Sequence, residues 1–336
     1  MRRITIREVA QHAGVSYQTV SRVLNNSHEV ASTTREHVQR AIQELNYHPN
    51  AQAVSLSRNR SNIVGLVVHS VGDAFFGQIV DGACQALEQH GRYALLMQTE
   101  AQGQSTAVET LLQSRRIDGL IIDLPLFMTL ERTQQFAKKQ LPIVLLDLQY
   151  DVDIDHIRID NYCGAYRATQ HLIELGHRRI GMIAGGHNLP VGKMRIDGYQ
   201  AALDDAGVVS DPALVFNGAF NFVTGIEGMR YLLTLDPLPS AIFASNDLIA
   251  FGALQVLSER GMHVPEDMSL IGFDDIPQAA YVFPALTTMR QPLKEMGYLG
   301  AQFLCQVLDE LTSTPLRSML MPELIIRQST SQPKSM

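Results

Sequence analysis

The chain has 336 residues, 46% apolar and 18% charged, with a formal net charge of −7; this composition is globular, long enough for two or three domains, and excludes a disordered or fibrous chain. No run of about eighteen uninterrupted apolar residues exists to span a bilayer, so no membrane partner is expected, and the opening stretch MRRITIREVAQHAG turns polar too early for a secretory leader. Cys84, Cys163 and Cys305 are odd in number and far apart, which fits idle thiols in a reducing cytosol rather than a disulfide framework or a metal cluster; no metal or cofactor is expected.

The charge is unevenly spread. Residues 1–60 hold eight arginines against four acids, hence +4, while the remaining 276 residues hold 19 basic and 30 acidic side chains, hence −11. A basic head on an acidic body points to a polyanion met by the head alone, although a few excess charges also arise by chance in short segments. Within that head, TIRE at 5–8 has the spacing of a capping box, with Thr5 capping a first helix and Glu8 reaching back. That helix, IREVAQHA, stops at Gly14. Ser16 is a good N-cap for a second helix reaching about Leu24, and STTRE at 32–36 opens a third that ends near Asn46. Helix, tight turn, helix is the helix-turn-helix pattern.

At about 100° per residue, Val20, Val23 and Leu24 share one arc of the second helix and pack toward Val9, Ala13 and the third helix. Tyr17, Gln18, Ser21 and Arg22 share the opposite arc, where a recognition helix presents side chains to the major groove. Arg22 can donate two hydrogen bonds to guanine and Gln18 can bridge adenine. Tyr17 offers a ring to thymine methyls and a hydroxyl to a base edge or phosphate. Many helical hairpins share this outline, so the motif alone is a moderate signal. Asn25, His28, Arg35 and Tyr47 read first as caps or solvated positions, with phosphate contact as the alternative.

TIREVAQHAGVSYQTVSRVLN followed by TREHVQRAIQELNYHPN resembles the DNA-binding head of the LacI/GalR family of bacterial repressors, nearest to its lac-type members. The motif is long and ordered, and the resemblance runs to about Thr330. It implies a DNA-contacting set of Thr5, Ser16, Tyr17, Gln18, Thr19, Ser21, Arg22, Asn25, His28, Thr34, Tyr47, Asn50, Ala53 and Leu56. It also implies a bacterial, cytoplasmic protein bound to a palindromic operator with lac-like half-sites. Residues 50–60, NAQAVSLSRNR, are too short for a stable isolated helix and read as a bland linker; by resemblance they are a hinge helix, with Leu56 as the wedge in the minor groove. Unstacking a base step costs a few kcal/mol, offset by bent DNA that touches more protein.

From Asn62 the texture changes. IVGLVVH (63–69), RYALLMQ (92–98), IDGLIID (117–123) and PIVLLDL (142–148) are short apolar runs separated by amphipathic stretches. The alternation resumes at RRIGMIAG (178–185), PSAIFAS (239–245) and DMSLIGFDD (267–275). Strands alternating with helices imply helix-covered parallel sheets, and two such series imply two α/β subdomains. The expected fold is therefore a small all-α helix-turn-helix head on an α/β body. By resemblance that body is periplasmic-binding-protein-like. The expected domains are 1–49 for the head, 50–61 for the hinge and 62–330 for the effector-binding and dimerisation body. The resemblance divides the body into 62–160 plus 291–320 and 161–290 plus 321–330, with crossings near Asp160–Asn161, Arg290–Gln291 and Pro322. Residues 331–336 form a polar tail. The ending RQSTSQPKSM carries no heptad, so a homodimer paired through the body is expected.

Ligands of open α/β sheets sit beyond the carboxyl ends of the strands. Asp123, Asp147, Asn246 and Asp274 fall there, with Arg195 at a helix start and Phe220 in the loop NGAFNFVTG. Carboxylates, an amide and a guanidinium suit hydroxyl groups, and a ring suits the apolar face of a sugar. Each has a structural reading as well: Asn246 or Asp247 could cap a helix, Asp274 or Asp275 could end a strand, and Phe220 could be core. The resemblance assigns Asp147, Arg195, Asn246, Asp274 and Gln291 to effector contact and puts Phe220 where the family places a stacking aromatic; Asp247 and Asp275 stay structural. His69, Phe76 and Asp123 depart from the lac-type branch, and Phe220 stands for its tryptophan, which puts the identity of the sugar in doubt. Asp123 is included in the effector set as the residue expected to redirect specificity.

The expected function is a sugar-responsive transcriptional repressor, released from DNA by a glycoside, with a galactoside as first candidate. The alternative within the class is a different small molecule or a corepressor, as in the family's purine-responsive branch. An enzyme is the competing class, but the chain has no G-x-S-x-G, P-loop, G-x-G-x-x-G or H-E-x-x-H, and none would explain the head. A transport receptor would not explain it either.

Overall fold

The computed structural model describes residues 4–24, 28–47, 60–98, 116–123, 131, 134–135, 138, 141–149, 153–312 and 314–334. The chain forms two compact units, Met1–Ser61 and Asn62–Met336.

The first unit holds α1 (Ile6–His12), α2 (Tyr17–Leu24) and α3 (Ser32–Glu44). Thr5 caps α1 through both halves of a capping box, its own amide donating to Glu8 Oε2 at 2.7 Å. Gly14 ends the helix at φ +65 with open space around it; conformation, not crowding, requires glycine there. Ser16 Oγ accepts from the amide of Thr19 at 3.1 Å, capping α2. Val9, Ala10, Val20, Val23, Val38, Ala41 and Tyr47 form the core of the head, with Ala13 and Leu24 packed against it. A valine buried this fully contributes about 1.5–3 kcal/mol. His12 Nε2 lies 2.7 Å from Glu44 Oε2 and ties α1 to α3. Tyr47 corrects the sequence reading: its ring is neither a cap nor solvated but packed in this core, and burial raises its hydroxyl pKa. Its place at the end of a polar helix hid an apolar role, because a tyrosine ring can serve either.

The second unit runs β1 (Ile63–Val68), α4 (Ala74–Gln89), β2 (Tyr93–Gln98), β3 (Gly119–Asp123), β4 (Ile143–Leu146), β5 (Asp155–Ile159), α5 (Asn161–Glu174), β6 (Ile180–Gly185) and α6 (Pro190–Asp205). It continues through β7 (Val215–Gly218), α7 (Phe222–Leu232), β8 (Ala241–Ala244), α8 (Asp247–Glu259), β9 (Ser269–Asp274), β10 (Thr287–Arg290), α9 (Leu293–Leu308), β11 (Arg317–Leu320) and β12 (Glu323–Ile325). Two six-stranded sheets result, ordered β2-β1-β3-β4-β5-β11 and β7-β6-β8-β9-β10-β12. Among the described residues every pairing is parallel except that of β10 with β12. Every residue of β3, β4, β6, β8 and β9 is buried, as expected for parallel strands covered on both faces. The α/β class with two parallel-sheet subdomains is borne out.

The strands that the sequence did not announce are β5, β7, β10, β11 and β12. They have three to five residues, and all but β7 carry charged side chains. The chain leaves the first sheet after β5, returns after β10 and leaves again after β11. In each sheet the strand order reverses beside the first strand, between β1 and β3 and between β6 and β8. Ligands of doubly wound sheets lie beyond the carboxyl ends at such points.

Candidate DNA interface and effector site

In the head, α2 buries Val20 and Val23 and leaves Tyr17, Gln18 and Arg22 exposed, Tyr17 by 53%. Ser16 and His28 are exposed, while Thr19, Ser21 and Thr34 are half-buried. The exposed arc is therefore the one that reads as a recognition surface. Thr5 is exposed at the start of α1, where its hydroxyl serves the capping box. Arg22 has a neighbour that sequence reasoning did not single out: its Nη1 lies 3.7 Å from Glu29 Oε2, both side chains well exposed. Asn25, Asn50, Ala53 and Leu56, and with them most of the hinge, lie outside the described residues.

In the body, the carboxyl ends of the strands carry the polar residues. Asp123 ends β3, Asp147 follows β4, Asn246 follows β8, Asp274 ends β9 and Gln291 follows β10. Arg195 reaches in from within α6, which begins at Pro190 and not at Arg195 as expected, because Pro190 fits the first helical position; Phe220 comes from the loop before α7. All but Phe220 are buried. Asp147 and Asp274 have φ of 52 and 117, backbone conformations that favour glycine; strain of this kind clusters at ligand sites.

A relay of contacts joins the two subdomains. Asp147 Oδ1 accepts from Gln149 Nε2 at 2.7 Å, the amide of Ile159 at 3.2 Å and Asn161 Nδ2 at 3.4 Å. Asn161 Oδ1 accepts from Arg195 Nε at 2.9 Å. Arg195 Nη1 donates to the carbonyl of Ser245 at 2.5 Å and lies 3.6 Å from Asp274 Oδ1. Gln291 Nε2 donates to the same carboxylate oxygen at 2.6 Å. The guanidinium also stacks 3.8 Å from the Phe273 ring centroid and 5.3 Å from that of Phe220. Phe220 is held against Gly185 and Gly186, where an added Cβ would come within 2.5 Å of its ring.

Burial raises the pKa of Asp147 to about 6, against the opposing pull of the Ile159 amide and Arg195. It raises that of Asp274 to about 7, against Arg195 and Gln291. Asp123 is pushed up by burial and by the neighbouring Asp147 charge. Burial lowers the Arg195 pKa, and Asp274, Asp147 and Asp247 counter it. Both carboxylate oxygens of Asp123 and Oε1 of Gln291 are buried with no hydrogen-bond partner among the described residues. Each such group costs about 1–3 kcal/mol, so these acceptors are suited to a donor brought by a ligand.

Asn246 is a cap, its Oδ1 accepting from the amide of Ile249 at 2.9 Å. Asp247 is structural, accepting from Thr288 Oγ1 at 2.6 Å and the amide of Ile276 at 2.9 Å. Asp275 is structural too, bound by Arg290 Nε at 2.7 Å and Arg327 Nη2 at 2.6 Å. Phe76, at one of the positions that depart from the lac-type branch, is buried in the first core, 5.9 Å from His69 in an edge-on contact. Sequence reasoning missed Asn161 and Phe273. Asn161 read as a crossing point, and Phe273 sat in a run that already read as strand.

The pattern described as "Bacterial regulatory proteins, lacI family" matches residues 5–50, and that of the periplasmic binding protein-like domain matches residues 169–330. The HTH-type transcriptional repressor PurR of Haemophilus influenzae (strain PittEE) is 36% identical over 334 residues, covering 97% of this chain and 98% of that protein. The chain belongs to the LacI family. As a LacI-family protein it is a DNA-binding transcriptional repressor with an effector-binding body, and the family's members are regulators. Among solved structures, the lac repressor dimer bound to operator and the anti-inducer ONPF is 29% identical with a TM-score of 0.86, covering 98% of this chain and 100% of that one. The transcriptional regulator CelR–cellobiose complex is 36% identical with a TM-score of 0.73, covering 97% and 100%. Among the described residues, no helix is long and apolar enough to cross a membrane.

Proposed function

We propose that this LacI-family repressor is cytoplasmic and sugar-responsive, and that a glycoside bound at the junction of the two subdomains releases it from a palindromic operator. The observation that carries the reading is the set of buried, unpartnered acceptors, Asp123 and Gln291 Oε1, near the carboxylates of Asp147 and Asp274, with the Phe220 ring 5.3 Å from the guanidinium of Arg195. A polyol supplies hydroxyl donors to such acceptors while its apolar face meets an aromatic ring. Asp147, Arg195, Asn246 and Asp274 hold further hydroxyls. The cellobiose bound by CelR supports a carbohydrate; a galactoside is the first candidate because Asp147, Arg195, Asn246 and Asp274 match the effector positions of the lac-type branch. Asp123 sets specificity, since a carboxylate only accepts hydrogen bonds where an amide also donates.

Tyr17, Gln18 and Arg22 read the half-site, and the segment 50–61 is the hinge. The protein acts as a homodimer paired through the body, as a two-fold site requires. Tyr281 and Phe283, 82% and 94% exposed, are large apolar side chains of the kind an interface covers. A second reading, a different small molecule acting as corepressor, draws on the 36% identity to PurR.

The experiment is a titration of operator binding, followed by fluorescence anisotropy, with galactosides, cellobiose, ribose and a purine base. Release by a sugar supports the proposal. Tightening by the purine base with no response to any sugar establishes the second reading.

A further inference from the structure

The head carries four acidic residues. Glu8 belongs to the capping box, Glu44 holds His12 across α1 and α3, and Glu36 is exposed on α3. Glu29 is different, because it stands in the turn after α2 with its carboxylate within ion-pair distance of Arg22, on the exposed arc of the recognition helix. An acid placed there opposes the general attraction of the head to phosphate. In compensation it acts on the one arginine that the arc offers to a base.

We infer that Glu29 is a specificity-determining residue of DNA recognition, which restrains Arg22 so that guanine, and not phosphate, claims it. The inference rests on the reading of Arg22 as a base contact. A free arginine binds phosphate anywhere on DNA and adds affinity without information. Holding Arg22 near a carboxylate makes each new contact replace an existing one. Two parallel hydrogen bonds to guanine O6 and N7 replace it well. A phosphate replaces it poorly, because its charge also meets the Glu29 carboxylate. Specificity is a difference of affinities, and it rises when the wrong partner is penalised. Glu29 is exposed in a turn, so its replacement leaves the core of the head intact.

The test uses the full-length protein in three forms: wild type, Glu29→Gln and Arg22→Gln. Each is put through selection from a pool of duplexes with randomised palindromic half-sites, and through salt titration of binding to a random-sequence duplex. The expected result is that the wild type selects a guanine that Arg22→Gln no longer selects. Glu29→Gln selects the same half-site with weakened preference at that one position. It also binds the random duplex about three- to tenfold tighter, with a salt slope steeper by about 0.9 for each freed arginine. If Arg22→Gln loses the guanine while Glu29→Gln matches wild type in both assays, the inference is wrong and the base contact stands. If Arg22→Gln selects the wild-type site, the base contact falls and the inference with it. Weaker binding of Glu29→Gln to both kinds of duplex makes Glu29 a structural residue and also overturns the inference.

Discussion

Replacing Arg195 by alanine removes the only basic side chain in the relay that joins the subdomains. Two hydrogen bonds go with it, leaving Asn161 Oδ1 and the Ser245 carbonyl without their donor, as do the ion pair to Asp274 and the stack on Phe273. Breaking a buried pair by removing one partner costs about 3–5 kcal/mol when the remaining charge stays ionised. Asp274 has an escape, because its pKa already stands at about 7. Without Arg195 that pKa rises, so near neutral pH the carboxyl takes up a proton at little cost. The loss at pH 6 is then mainly that of the two unpaired acceptors, about 1–3 kcal/mol each, and it grows at pH 8, where protonation is harder. Urea denaturation of wild type and Arg195→Ala at the two pH values measures this difference. A loss equal at pH 6 and 8 would refute the coupling of Arg195 to Asp274. Functionally, each hydrogen bond from a charged donor to a ligand hydroxyl contributes about 1.5–3 kcal/mol, so sugar affinity should drop at least tenfold. Operator binding should stay within about threefold of wild type, since the head is a compact unit of its own and Arg195 lies in the other. The variant would repress permanently. Equal calorimetric affinity of wild type and variant for the releasing sugar would place the effector site elsewhere.

The carboxyls of Asp147 and Asp274, raised to about 6 and about 7, bind protons in the folded state that the unfolded chain has released. Their contribution to stability is therefore fully present below about pH 4 and is lost as pH rises through 6 and 7. Because a hydroxyl donor favours the ionised form, sugar affinity should rise between pH 5.5 and 8 with proton release, seen as calorimetric heats that depend on the buffer; proton uptake would contradict it. Leu56→Ala should weaken specific operator binding and reduce DNA bending while leaving sugar affinity nearly unchanged, and an unaltered bend in a circular-permutation assay would rule out a wedge. Replacing Tyr281 and Phe283 together by aspartate should convert the dimer to monomer in sedimentation at micromolar concentration, with loss of operator affinity. A double variant that stays dimeric, or a wild-type tetramer, would count against that interface.

The head was legible because its signals are local. A capping box, a glycine at φ +65 and a serine N-cap each act within four residues, and the arc of Val20 and Val23 needs only the helical period. The main strands other than the edge strand β2 were legible for a different reason: a strand buried on both faces is a continuous apolar run. β5 and β11 escaped because DHIRI and RSML are short and hold charges, so neither is a continuous apolar run. Their place in the first sheet comes from neighbours distant in sequence, β11 pairing with β5 from Arg317 opposite His156. Tyr47 escaped because a polar context and an amphipathic ring leave its burial to tertiary contacts.

In the effector site, residue type was legible and role was not. A carboxylate at a strand end reads the same whether it caps, clasps or binds. The pair Asp274 and Asp275 makes the point: adjacent and identical in chemistry, both at positive φ. One faces Arg195 and Gln291, the other Arg290 and Arg327. Asp274 ends β9 and Asp275 lies just past it, and what each carboxylate faces is decided by α6 and by the residues at the crossings, which are far away in sequence. The same holds for Asn161, whose amide joins Asp147 to Arg195 only because the chain changes sheets at that residue. Two positive-φ aspartates at the end of one strand cost backbone strain of order 1–3 kcal/mol each. Asp275 recovers that cost in two charge-assisted hydrogen bonds that also anchor β10 where it leaves the sheet. Asp274 has one amide donor and a more distant guanidinium, and Asp123 has no donor among the described residues, so the fold leaves acceptor capacity of the kind a hydroxylated ligand fills.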